Sequence, residues 1–441
     1  MTTTDEQSGM RQILRALRHR NYRLFFFGQS ISLIGTWMQQ IAMSWLVYRL
    51  TSSAFLLGLV SFAANVPILL VAPFAGILAD RWNRHRMLVI IQILAMVQAL
   101  ILAALVLTDS ITIWEIMVLG VFLGVINAFD MPVRQTYVVE MIEHREDLSN
   151  AIALNSSMFN IARLVGPSIA GILIAAVGEG YCFLLNGLSY IAVIVALLAM
   201  RPAVQKIETV SAPIWPGLKE GFQYSFGFPP IRSLLLLLSL VSIIGMPYTV
   251  LMPVMAKSVL HGGSHTLGFL VGASGVGALI GAIYLASRRS VRGLGKLIPT
   301  SAVIFGVGLI TLSLSRQVWL SLVFMLITGF GMIVQMASTN TVLQTIVDDD
   351  KRGRVMGLYT MSIRGVAPFG SLLAGIIASA IGTPQTLLIG GLFCIAGGLF
   401  FARNLESWRS LVRPIYVRKG IVPAVSAGIQ SATEMTKPGG D

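Results

Sequence analysis

Two arginines stand inside stretches that are otherwise apolar: Arg163 in ALNSSMFNIARLVGPSIAG and Arg364 in IRGVAPFGSLLAGIIASAIG. A guanidinium stays charged at physiological pH, and at the centre of a bilayer it costs at least ~2.5 kcal/mol on insertion scales. Neither residue is therefore expected to face lipid. Each either lines a polar gap, binding the anionic part of a substrate or holding a carboxylate, or is satisfied by carbonyls and amides of neighbouring helices, with Asn155, Asn160 and Gln335 as candidates. Both readings stay open on the residues alone.

A set of amides lies at the same apolar depth: Gln39, Gln40, Asn65, Asn127, Gln335 and Asn340. Each is read either as facing substrate or as an interhelical hydrogen bond worth about 0.6 kcal/mol. Trp37, Met38, Trp45, Met246 and Tyr248 are candidates for an apolar cavity wall, with packing or lipid contact as the plainer alternative. Proton coupling needs a carboxyl whose pKa burial can raise, and Glu115 and Asp130 are the candidates. Asp130 is also one helical turn from Arg134, which reads as a local ion pair. The five histidines lie in predicted loops or at helix ends, and Cys182 and Cys394 form no CxxC or metal-ligand spacing. With no phosphate-binding GxxxxGK[ST] either, no enzyme, cofactor or metal site is expected.

The elements that position these residues follow from composition. Of 441 residues, 55% are hydrophobic and only 12% charged, so one aqueous core cannot hide the apolar surface. The apolar residues form runs of about 20 or more, the length that crosses a hydrocarbon layer. Twelve spans are read: 24–48, 54–79, 87–107, 111–130, 150–177, 181–200, 231–256, 266–287, 296–315, 318–346, 355–381 and 385–403. Of the 32 lysines and arginines, 27 fall in alternate connections and the two ends. One missed span would invert every later loop, so this bias supports the count and places both termini in the cytoplasm. It also accounts for the net charge of +13 without nucleic acid.

A proline-rich connection over 201–230 divides the chain into a leader (1–23), a six-span half (24–200), a second six-span half (231–403) and a tail (404–441), the last expected to be disordered in part. Within the connection, GLKEGFQYSFGF reads as a short interfacial helix. The halves echo each other. Arg163 and Arg364 each precede a proline, Pro167 and Pro368, by four residues, and both segments continue into an AGI stretch. Leu57-Gly58 in the second span matches Leu267-Gly268 in the eighth. Such repeats point to parallel halves around a gap. Gly166, Pro167 and Pro368 are then candidates for bending helices so that the halves rock.

The loop GILADRWNRHR (76–86) resembles the signature of the major facilitator superfamily, matching at Gly76, Asp80, Arg81, Arg84 and Arg86. Asn83 stands where glycine is usual, a mild departure because asparagine is the residue next most willing to adopt positive φ. NYRLFFFGQSISLIGTWMQQIAMSWLVYRLTSS (21–53), ALNSSMFNIARLVGPSIAG (153–171) and RGRVMGLYT (352–360) are similar to bacterial exporters of the enterobactin-exporter and macrolide-efflux group. The resemblance covers the whole chain. It implies an all-α fold of two pseudo-symmetric six-helix bundles in the bacterial cytoplasmic membrane. It further implies export of a small organic molecule (siderophore, drug or related amphiphile) by alternating access, coupled to proton entry. Substrate contacts are expected from Arg163, Arg364, Gln39, Gln40, Asn127, Gln335 and Asn340. Two arginines favour an anionic or catechol-bearing substrate, and the working unit is expected to be a monomer in the lipid bilayer. Import, lysolipid flipping, a membrane enzyme and a receptor are the competing readings. The resemblance also makes Asp80 part of a latch with Gly76, Arg81, Arg84 and Gly353, its carboxylate meeting the positive end of the eleventh helix. Asp80→Asn should therefore slow transport while expression and substrate binding persist, and normal transport by that variant would remove the latch.

Overall fold

The computed structural model describes residues 14–201, 214–288 and 290–421, with all side chains in them except those at 72–74, 76–81, 145 and 214–219. Twelve long helices run in chain order: Arg20–Thr51, Ala54–Arg81, Arg84–Leu107, Ile113–Glu140, Leu148–Val177, Glu179–Leu198, Pro229–Val259, Ser264–Ala286, Leu294–Leu314, Val318–Ile346, Arg352–Ile381 and Thr383–Arg403. They are called the first to twelfth spans below. Eleven are long and apolar enough to cross a membrane, and the first, with 32 residues, is roughly 48 Å long at 1.5 Å per residue. Helices satisfy every backbone amide within one segment, which lipid demands. The end of the fold that carries the basic loops is termed the basic face, and the opposite end the outer face.

Two expectations are corrected, and part of the tail is seen. The fourth span does not stop at 130 but continues through Pro132 to Glu140. Val133, Tyr137 and Val138 are buried there, and this packing outweighs the helix-breaking tendency of the proline. Asn83 does not adopt positive φ: at φ −66° its side chain accepts from the Arg86 amide at 3.0 Å and caps the third span, a role asparagine fills well. The tail is helical over Leu405–Arg418, with Trp408 and Val412 buried. Its apolar residues occupy one stripe, so mean hydropathy hides it. A linker helix, Ile214–Gly227, precedes the seventh span.

The halves meet at two places built alike. The second span packs on the eleventh, and the fifth on the eighth. A Cβ added at Gly58 would stand 2.5 Å from the Ser371 carbonyl oxygen and 3.0 Å from Gly375 Cα. One added at Gly268 would stand 2.5 Å from the Pro167 carbonyl oxygen and 2.9 Å from Gly171 Cα. The same contact is thus made twice, and the glycines that repeat along the sequence are the ones that make it. On this register Pro167 corresponds to Ser371 and Arg163 to Ala367. Arg163 and Arg364 are therefore not symmetry mates, and Arg364 lies nearly one turn closer to the basic face.

All described contacts between the halves lie from the outer face to about mid-depth. The Tyr48 and Ser258 hydroxyls pair at 2.6 Å, Ser264 Oγ donates to the Gly171 carbonyl at 3.1 Å, and Phe62 meets Phe369 edge-on. The deepest are Leu164 with Gly275 and Leu69 with Gly365. Toward the basic face no hydrogen bond or ion pair between described residues joins the halves, and a Cβ at Gly353 or Gly357 would meet nothing within 4 Å. Among the described residues, then, the halves touch at the outer face and down to mid-depth, and not at the basic face.

The halves differ in one respect. The fifth span is an unbroken α-helix through Pro167. The second half carries π-helical turns at Val241–Gly245 and Met255–Val259 in the seventh span and at Met361–Gly365 in the eleventh. Pro247 and Pro368 follow the first and last of these turns, and their missing N–H leaves a carbonyl inside each turn free. If the seam is as tight as the glycines indicate, Gly268→Val should disfavour the sealed form by about 1–3 kcal/mol. A cysteine at Ser168 should then react faster with an impermeant thiol reagent from the outer side, against silent, fully buried Cys182 and Cys394. An unchanged rate would mean that the seam tolerates a side chain.

Candidate substrate gap

Arg163 lies on the fifth span of the first half and Arg364 on the eleventh span of the second. Arg163 is half-buried and Arg364 exposed. Neither side chain has a hydrogen bond or ion-pair partner among the described residues. The Arg163 carbonyl lies against Gly275, so its side chain hangs from the last turn of the sealed seam. Tyr248 of the seventh span is within electrostatic reach of it and is fixed by a 2.8 Å bond between its hydroxyl and that of Ser274. Arg364 sits in the π turn ahead of Pro368, a device often found at functional sites.

Two amides join them. Gln40 is exposed without a side-chain partner. It stands about 180° around the helix from Ile31, whose 54% exposure marks the lipid side, at 100° per residue. Asn127, likewise exposed and unpartnered, lies about 180° from Val118, which is 53% exposed on the lipid face of the fourth span. Gln40, Asn127, Arg163 and Arg364 occupy one band, roughly 17–25 Å below the outer helix ends at 1.5 Å per residue.

The other expected residues are placed elsewhere. Gln39 is buried and donates to Gln98 Oε1 at 3.0 Å while accepting from Asn186 Nδ2 at 2.7 Å. This ladder ties the first, third and sixth spans together, and Gln39, only 4% exposed, is spent on packing. Gln335 is fully enclosed in the second half, with neither end of its amide partnered. Asn340 accepts from Gln344 one turn on, and Asn65 donates to the Ser61 carbonyl of its own helix at 2.8 Å. Trp37 packs edge-on against Phe159, while Met38 and Trp45 are buried. Gly166 lets the fifth span close on the first, since a Cβ there would stand 2.6 Å from Trp37 Cβ.

The two acids have different surroundings. Glu115 is near the outer face, where its carboxylate accepts from the Thr112 hydroxyl at 2.7 Å and from the Thr112 amide. It is a capping residue for the start of the fourth span. Asp130 is 5% exposed, ion-paired with Arg134 and accepting from Gln92 Nε2 at 3.0 Å. Arg134 is in turn within electrostatic reach of Arg364, so this pair adjoins the gap, and Arg134 is the residue that the sequence reading left out of it. The latch residues Gly76, Asp80 and Arg81 lie outside the described side chains. Arg84 is ion-paired with Glu140. At the start of the eleventh span, Lys351 and Arg354 are both engaged by Glu220 of the linker helix, and the Lys351 hydrogen bond holds that carboxyl below its ordinary range.

Twelve long helices, eleven of them apolar enough to cross a membrane by length and composition, define a multi-pass membrane protein. Residues 12–412 match the major facilitator family model described as transmembrane secretion effector, and the chain belongs to that family. It is 29% identical over 383 residues to the staphyloferrin A transporter of Staphylococcus aureus, covering 86% of this chain and 95% of that one. It is 26% identical to the multidrug efflux pump Tap of Mycolicibacterium fortuitum, over 83% and 91% of the two chains. Among solved structures, it resembles a bacterial homologue of the human lysosomal transporter Spinster. The TM-score there is 0.63 at 13% identity, over 92% and 99% of the chains.

The two neighbouring glutamines of the first span separate packing from substrate contact. Gln39→Leu should strand buried groups of Gln98 and Asn186 and cost about 1–3 kcal/mol of stability, read as a lower melting temperature. Gln40→Ala should leave melting unchanged and weaken substrate binding. Equal effects of both on melting would return Gln40 to a packing role.

Proposed function

We propose that this protein exports a small organic anion, of the siderophore or drug class, by alternating access between the sealed-outer form seen here and its converse. The observation that carries the reading is the pair of arginines, Arg163 and Arg364, at about one depth and on opposite halves, with no hydrogen bond or ion pair to their side chains among the described residues. The positive-inside rule makes the basic face cytoplasmic, so the gap loads from the cell interior and both termini are cytoplasmic. Gln40 and Asn127 supply hydrogen bonds alongside the two cations. The printed names of the relatives, a siderophore transporter and a multidrug pump, and the family description of secretion support the outward direction.

Asp130 is the proton-carrying group in this account. It is a buried carboxylate poised against Arg134 and Gln92, and Arg134 links it electrostatically to Arg364 across the gap. Protonation dissolves the ion pair and changes the charge that Arg364 meets. A monomer suffices, because each half supplies one arginine.

The test is transport into everted vesicles, with and without a pH gradient, across a panel of siderophores and drugs. Substrate-dependent proton release is expected, with Asp130→Asn abolishing the release. Arg163→Ala should lose anionic substrates first, with KM rising about 10- to 150-fold, the equivalent of one charged hydrogen bond. Accumulation indifferent to the gradient would remove proton exchange, and unchanged selectivity would return Arg163 to packing.

A further inference from the structure

A second cluster of cations lies outside the gap, at the basic face of the second half. Its hub is Trp408, buried in the tail helix. The indole N–H donates to the Pro230 carbonyl at the start of the seventh span at 3.3 Å. The ring lies where a Cβ at Gly295, in the first turn of the ninth span, would stand 2.9 Å away. Its other neighbour is Phe401 in the last turn of the twelfth span, with centroids 6.1 Å apart. Three helix ends therefore converge on one indole, and they bring Arg232, Lys296, Arg403 and Arg409 around it. Arg413 follows one turn further along the helix.

All five cations are exposed, and none has a side-chain hydrogen bond or ion pair among the described residues. The other basic residues nearby are employed. Arg418 pairs with Asp348, Lys419 donates to the Val347 carbonyl, and Arg292 holds the Ile421 carbonyl. Those contacts pin the tail helix across the ends of the bundle, while the five remaining charges are exposed with no ion pair among the described residues, and Glu406, three residues from both Arg403 and Arg409, offsets one of them at most. Just beneath Arg403, Leu399 and Phe400 are 58% and 71% exposed on the outer surface of the twelfth span. A ligand that satisfies both features is anionic at the level of the span ends and apolar one turn deeper.

We propose that this cluster binds the phosphate head group of an anionic phospholipid, whose acyl chains lie along Leu399 and Phe400. Basic residues at the cytoplasmic ends of spans suit such head groups, and Trp408 is the buried strut that keeps them together. A soluble phosphate or nucleic acid would satisfy the charges but leave the apolar step below unused. The site is independent of the transport gap and of its assignment.

The test uses the full chain purified in neutral detergent and delipidated, with retained lipid counted by native mass spectrometry. Phosphatidylglycerol should be retained in preference to phosphatidylcholine. The variant R403Q/R409Q/R413Q should retain about fivefold less or lower still, whereas R418Q, which breaks a contact within the protein, should retain it. Inorganic phosphate at matched ionic strength should not displace the lipid. Equal retention by the triple variant, equal retention of phosphatidylcholine, or displacement by phosphate would each overturn the proposal. A measurement free of variants reads the same property: the melting temperature should rise with phosphatidylglycerol and not with phosphatidylcholine, and identical shifts would contradict it.

Discussion

The two halves are held together by backbone lying on backbone. In lipid, apolar side chains gain little by associating, because acyl tails are as apolar as leucine, and close packing of small residues carries helix contact instead. Gly58 against Gly375 and Gly268 against Gly171 bring helices to within one Cα of each other at the outer face. The seam has few polar bonds, chiefly Tyr48 with Ser258 and Ser264 with Gly171. It can part without stranding a network of unsatisfied groups, which buried polar seams could not do at comparable cost.

This constraint places the site. Arg163 is attached to the deepest turn of the fifth–eighth contact, its carbonyl against Gly275. Arg364 enters from the other half by a different device. A second copy of the fifth-span geometry would put its counterpart at Ala367. The π turn ahead of Pro368 carries the cation nearly one turn deeper instead, beside Arg134. The frame of glycine contacts is thus symmetric, and the positions of the two arginines within it are not.

Much of the frame was legible in the residues. Twelve apolar runs and alternate basic loops define the spans, because lipid leaves the backbone few options and loop charge sets orientation. The repeated Leu-Gly and Ala-Gly-Ile segments were visible as repeats, although their role as the seam was not, since which helix a glycine meets is a tertiary fact. The Arg–Pro echo misled: it aligned Arg163 with Arg364, whereas packing aligns Arg163 with Ala367. The amides were the least legible. Gln39 and Gln40 are chemically identical neighbours, and only the 100° step between them separates a buried ladder from the open gap. In spans that are apolar on nearly every side, no stripe reveals that step. Helix ends were hidden where packing overrode a local signal, as at Pro132, or where apolar residues were confined to one stripe, as in Leu405–Arg418.

Alternating access requires the halves to move about the outer seam. Spin labels on the second and eleventh spans, one pair near the outer face and one near the basic face, would report both gaps in reconstituted protein by pulsed dipolar distance measurement. With an anionic substrate present, the outer distances should lengthen as the basic-face distances shorten. Distances that stay fixed, or that lengthen at both faces together, would contradict it.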